Sequence, residues 1–104
     1  MSITSSNVTT TASNIYVASG GTHAAMTFYF ANYSNSANAV FSLYAVKSGY
    51  SANTFNVLYT NVLVQAGDTY VMDSERLFLD ENDRLVARAN ANNVIACTLT
   101  YTDV

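Results

Sequence analysis

Short runs of β-branched and aromatic residues, each closed by a turn signal, constrain this chain more than any other feature. Residues 15–18 end at Gly20-Gly21, and residues 24–33 end at an Asn/Ser cluster over 35–38. Residues 39–47 end at a loop with Gly49, and residues 55–64, with a break near Asn61, end at Gly67-Asp68. Short runs follow at 69–72 and 77–79, then a tight polar turn at 80–83. Residues 84–89 and 94–101 close the chain around Asn92-Asn93. None of these runs has the 3.6-residue period of a helix, whereas several alternate with period two. About eight strands at roughly ten-residue spacing predict an all-β fold, a single antiparallel β-sandwich. A jelly-roll-like arrangement is one way to place them in two sheets. An immunoglobulin-like order is the alternative that spacing does not separate, although the Cys…Trp…Cys pattern of antibody domains is absent.

The alternation assigns faces. Met26, Phe28 and Phe30 share one side of their strand, opposite Thr27, Tyr29, Ala31 and Tyr33. Phe41, Leu43 and Ala45 oppose Val40, Ser42, Tyr44 and Val46, and Ile95, Cys97, Leu99 and Tyr101 oppose Val94, Ala96, Thr98 and Thr100. Two antiparallel hairpins are expected: 24–33 with 39–47, and 84–89 with 94–101 across a type I′ turn at Asn92-Asn93. At 104 residues the chain is one domain. Residues 1–13, rich in Ser, Thr and Asn with only Ile3 and Val8 as large apolar residues, read as an arm or edge segment. Residues 14–104 form the β-sandwich domain.

Charge is scarce and clustered. Charged residues make up 11% of the chain, against about 25% in an ordinary globular protein. Nine of the eleven lie between Gly67 and Asn90, and the first 66 residues contain one, Lys47. Charge keeps a surface solvated and unassociated, so most of this protein hides or mates neutral surface. Four cations and a net charge of −3 exclude the basic stripe of a nucleic-acid binder. Residues 1–14 lack the basic and apolar regions of a secretory signal, and no run of eighteen apolar residues suggests a membrane helix. A single cysteine precludes an intrachain disulfide.

Candidate chemistry is sparse. His23 is the only histidine and sits just after the glycine pair, while Cys97 is the only thiol and lies on an inward-facing side. A nucleophile–base pair of the two would need an orienting group, and a buried thiol ordinarily acts as a small hydrophobe. Asp80, Glu81 and Asp83 offer oxygen ligands without the spacing of a calcium loop. Asp68 with Arg84 and Glu75 with Arg88 are possible cross-strand ion pairs. The expectation is therefore no catalytic residue, no cofactor and no metal. Six of eight tyrosines, Tyr16, Tyr29, Tyr33, Tyr44, Tyr50 and Tyr59, lie in the charge-poor part. Tyrosine suits interfaces, and exposed rings beside asparagines could also stack on sugars, so a glycan-binding module stands as an alternative.

The opening ITSSNVTTTASNIYVASGG, the strand FYFANYS and the pattern VLVQAGDTYVMDSERLFLDENDRLVA together resemble small virion structural proteins of tailed bacteriophages. The resemblance runs from about Ile3 to Val104. It implies a non-enzymatic β-sandwich subunit built into a virion, of the capsid cement or decoration type, with a neck or tail component as the alternative. It also implies a homo-oligomer, a trimer being favoured, in contact with the major capsid protein or other virion proteins; the scarcity of cations and the lack of a long apolar run predict no nucleic-acid and no membrane partner. On that reading Ile3, Val8, Tyr16, Tyr29, Tyr33 and Tyr44 meet neighbours, and the charged stretch 67–90 faces solvent or an oppositely charged patch.

Overall fold

A computed structural model describes residues 2–72 and 77–103. Nine strands account for the described regular structure: β1 Ser2–Val8, β2 Ser13–Val17, β3 His23–Asn32, β4 Ala39–Val46, β5 Val57–Val64, β6 Thr69–Met72, β7 Leu77–Leu79, β8 Arg84–Ala89 and β9 Ile95–Asp103. They form two antiparallel sheets. Sheet A has the order β1-β9-β3-β6, with β7 also paired to β3, and sheet B has the order β2-β8-β4-β5.

The order follows from folding one long hairpin onto itself. β6 and β7 run in succession along one edge of β3 and count as one interrupted strand. The resulting pairs are β1 with β9, β2 with β8, β3 with β6/β7, and β4 with β5. Alternate pairs fall in alternate sheets, which is the jelly-roll order. An immunoglobulin-like order would keep the first two strands in one sheet, whereas β1 and β2 lie in different ones.

Both expected hairpins are overturned. β3 and β4 lie in opposite sheets, as do β8 and β9. Their connections cross the sandwich, so the two partners face each other through the core. Phe30 of β3 stacks on Phe41 of β4 with ring centroids 3.9 Å apart. Asn93 does adopt positive φ (59°), but its turn joins two sheets.

The core fills from both inner faces: Phe28, Phe30, Ile95, Cys97 and Leu99 from sheet A meet Phe41, Leu43, Leu85 and Ala87 from sheet B. In β3, β4 and β9 these are the apolar sides that alternation assigned; the side chain of Met26 lies outside the described set. Residues 1–13 contain an edge strand: β1 pairs with β9 over seven consecutive residues, and Val8 is fully buried in the core. The break near Asn61 is a bulge. Between Leu43 and Phe41 the β5 partners jump from Tyr59 to Val62, and Asn61 takes φ of 51° while its N–H donates to Ser42 Oγ at 3.1 Å.

Candidate interaction surfaces

Sheet register defines the outer face of sheet A in three rows. Ile3, Thr100 and Thr27 lie side by side; then Ser5, Thr98, Tyr29 and Val71; then Asn7, Ala96, Ala31 and Thr69. Phe78, paired to Ala24, and Thr102 extend the face toward one end. None of these residues is charged. Four are large and well exposed: Ile3 at 69%, Phe78 at 65%, Val71 at 47% and Tyr29 at 41%. Threonine and alanine fill the positions between, so hydroxyls and methyl groups cover the centre. Ser5 Oγ and Thr98 Oγ1 hydrogen-bond at 3.0 Å across β1 and β9.

The outer face of sheet B differs. Arg84 and Arg88 both project from it, and Arg84 donates to the Tyr50 carbonyl at 2.6 Å. The 47–56 loop is held to the same end by Ala45 N–H to Asn56 O at 3.0 Å and by Ser48 N–H to an Asp83 carboxylate oxygen at 2.9 Å. Val46 and Val86 point outward by register yet are buried. At the loop's tip Phe55 is 97% exposed. Asparagines brace that tip: Phe55 N–H donates to Asn53 Oδ1 at 2.8 Å, Asn53 N–H to Asn56 Oδ1 at 2.9 Å, and Asn56 Nδ2 to Ser51 O at 2.9 Å.

The two ends of the sandwich divide the polar residues. At one end asparagine amides serve the backbone. Buried Asn32 donates through Nδ2 to Ala37 O at 2.8 Å and Val64 O at 2.9 Å, and accepts from Ser34 N–H at 2.9 Å. Asn38, Asn90 and Asn92 accept from Ala66, Val40 and Thr10 N–H groups there. At the other end lies the 80–83 turn, where Asn82 takes φ of 68° and the Asp83 carboxylate accepts from Asp80 N–H at 3.1 Å. Asp80 and Glu81 are exposed and Asp83 is half-buried. Asp73, Glu75 and Arg76, and with them the Glu75–Arg88 pair, lie outside the described residues. Asp68 and Arg84 do not pair: the first bonds Asn32 through its backbone, and the second pairs with Val46 at the opposite end.

The candidate side chains separate accordingly. Ile3 and Tyr29 share the outer face of sheet A. Tyr33 follows β3, exposed, with its hydroxyl donating to Asn7 Oδ1 at 2.9 Å. Tyr44 is half-buried on the outer face of sheet B, beside Val86. Val8 and Tyr16 correct the expectation that they meet neighbours, because both are buried in the core cluster. A bulge around Ile15 turns Ile15 and Tyr16 inward together. Sequence reasoning passed over Val71, Phe78 and Phe55. Phe78 was legible: it sits between Leu77 and Leu79, so period two places it opposite two inward leucines.

Cys97 and His23 do not meet. Cys97 pairs with Phe30 and His23 with Asp103 in the register of β3 and β9, a separation of about 20 Å along a strand. Burial pushes the Cys97 thiol up to about 12 from 9.0, which keeps it protonated and poorly nucleophilic. His23, just past the glycine pair, opens β3 in a buried aromatic corner, with Nδ1 hydrogen-bonded to the Tyr16 hydroxyl and its ring stacked on Tyr101. Among the described residues no three His, Cys, Asp or Glu side chains converge as a metal site would require, and every buried side-chain nitrogen or oxygen has a hydrogen-bond partner. An apolar cleft of about 230 Å³ opens between the edges of the two sheets, lined by Phe28, Leu58, Tyr59, Met72 and Leu77. No helix among the described residues is long and apolar enough to cross a membrane. No protein-family model, curated protein or solved structure matches the chain.

Proposed function

We propose that this protein is a non-enzymatic structural subunit of a bacteriophage virion, a capsid cement protein that associates with copies of itself and with the capsid lattice. The observation that carries the reading is the outer face of sheet A, which is uncharged among the described residues. A monomer that worked alone would gain solubility from charge on that face, and its exposed Ile3, Tyr29, Val71 and Phe78 would be a liability. In an assembly the same neutral surface packs without the desolvation cost of buried charges, and interface cores are depleted in Lys, Glu and Asp. Jelly rolls serve viral capsids and lectins alike, so the fold alone does not choose between them. The resemblance to phage virion proteins favours the capsid role, and it favours a trimer.

Gold-labelled antibody against the chain, applied to particles from a culture carrying its gene, tests the assignment. Label over the capsid shell is the expected result. Label confined to the neck or tail would move the subunit there, and unlabelled particles would overturn the virion reading. The glycan-binding alternative predicts retention on a glycan array that is lost in Tyr29→Ala and Tyr33→Ala.

A further inference from the structure

We infer that the free edge of β1 is a docking strand for β1 of a second copy, the two running antiparallel about a two-fold axis and joining their A sheets into one. A sheet edge presents unpaired N–H and C=O groups, and natural proteins blunt it with charge, proline, bulges or short strands. Three of the four edges here are blunted. β2 is bulged between Asn14 and Tyr16. β5 shifts register twice against β4. β6 and β7 are four and three residues long. β1 has none of these devices. It is seven residues long and pairs with β9 residue for residue without a shift. Its sequence, SITSSNV, contains no charge and no proline.

In such a regular antiparallel strand every second residue turns its N–H and C=O toward the free side, so β1 offers a complete template. Self-complementarity points to a second copy as the occupant, and the local charge permits it. The chain carries −3 overall, so two copies repel unless they meet where neither is charged. β1 and the adjoining outer face of sheet A are such a place, with exposed Ile3, Ser5 and Asn7 on the strand itself. Two-fold pairing of identical strands is self-complementary and closes on itself. In an assembly of trimers the same contact joins trimers in pairs.

The inference rests on the self-association proposed above, and the test separates the two. The full chain is weighed by light scattering as wild type and as Ile3→Lys/Ser5→Lys. When the two strands pair over their full length the two-fold falls at Ser5, the middle of β1, so the new lysines lie across from or within two residues of those of the other copy, and like charges across strands are destabilising. The expected result is a mass that halves. Mixing this variant with Ile3→Glu/Ser5→Glu should restore the full mass, which a merely misfolded variant would not do. Val17→Lys, on the edge of sheet B, should leave the mass unchanged. A lysine variant that keeps the wild-type mass would overturn the β1 contact while leaving self-association intact. If it kept its mass but lost capsid binding, the edge would belong to the capsid subunit and the inference would fall. A wild-type chain that is monomeric at every concentration would overturn both readings.

Discussion

The outer faces of the two sheets are built from the same kind of strand and end up in different conditions. On sheet B, Val46 and Val86 point outward yet are buried, Arg84 reaches across to the Tyr50 carbonyl, and Arg88 projects to solvent. That face combines charge with a loop held to its end. Among the described residues the outer face of sheet A has neither: its rows of Thr, Ser, Ala and Tyr lie open, with Ile3, Val71 and Phe78 among them. The comparison teaches that a shortage of charge is not one property. At the asparagine-rich end the neutral groups are satisfied within the chain, because amides such as those of Asn32 and Asn90 bond the backbone. On the outer face of sheet A, neutrality is left for something outside the chain to use.

The largest effect is expected where the two faces share one core. Phe30→Ala removes the cross-sheet stack on Phe41 and should cost about 3–5 kcal/mol in urea denaturation. Hydrogen-exchange protection should fall in both sheets at the same denaturant concentration; survival of one sheet alone would make the faces independent. Next comes the asparagine-rich end. Asn32→Ala removes three side-chain hydrogen bonds, one of them to the buried Val64 carbonyl, so a loss of about 2–3 kcal/mol is expected by the same measurement. A loss below about 0.5 kcal/mol would show that water replaces the amide.

The comparison itself is sharpened by placing charge on each face in turn. Tyr29→Glu/Val71→Glu should weaken association at least about tenfold, or ~1.4 kcal/mol, with a urea midpoint close to wild type. Leu63→Glu, outward on sheet B beside Val40, should do neither. Equal effects from the two would remove the distinction. Arg84→Ala should cost about 1 kcal/mol or less, since its bond to Tyr50 is exposed to solvent, and should speed hydrogen exchange over residues 48–56.

The smallest effect at neutral pH comes from Cys97. Its folded-state pKa is raised from 9.0 to about 12, so at high pH the unfolded chain releases a proton that the folded chain retains. Stability is unaffected below about pH 9 and falls as pH rises from there toward 12. Cys97→Val should remove that share of the slope, seen as a shallower decline in unfolding free energy across the window. An unchanged decline would mean that the thiol already ionises in the folded state.

Strand positions were legible because turns announce themselves chemically. Gly20-Gly21 both take positive φ, and the expected runs 69–72 and 77–79 coincide with β6 and β7. Inward positions were legible wherever alternation held, as at Phe28, Phe30, Phe41 and Leu43. Sheet membership was not. Period two tells which side of a strand is apolar, but β3 and β4 turn their apolar sides toward the same core from opposite directions. An Asn-rich turn between them is compatible with a hairpin or with a crossing. The burial of Tyr16 was hidden for a related reason: a bulge places Ile15 and Tyr16 on the same side, which strict alternation forbids. The open face of sheet A was legible as a lack of charge, and its location became visible only once register aligned β1, β9, β3 and β6.

The pairing of Ser2 with Tyr101 also sets an order in time. β1 is synthesised before the other strands of the sheet, yet its partner among the described residues, β9, is made after all of them. The register that fixes sheet A therefore spans nearly the whole chain, which makes for slow folding, in the range of milliseconds to seconds for all-β domains. During synthesis β1 waits as an uncharged strand with neither edge covered, exposed to pairing with another nascent copy. Completion of β9 covers one of its edges and leaves the other available.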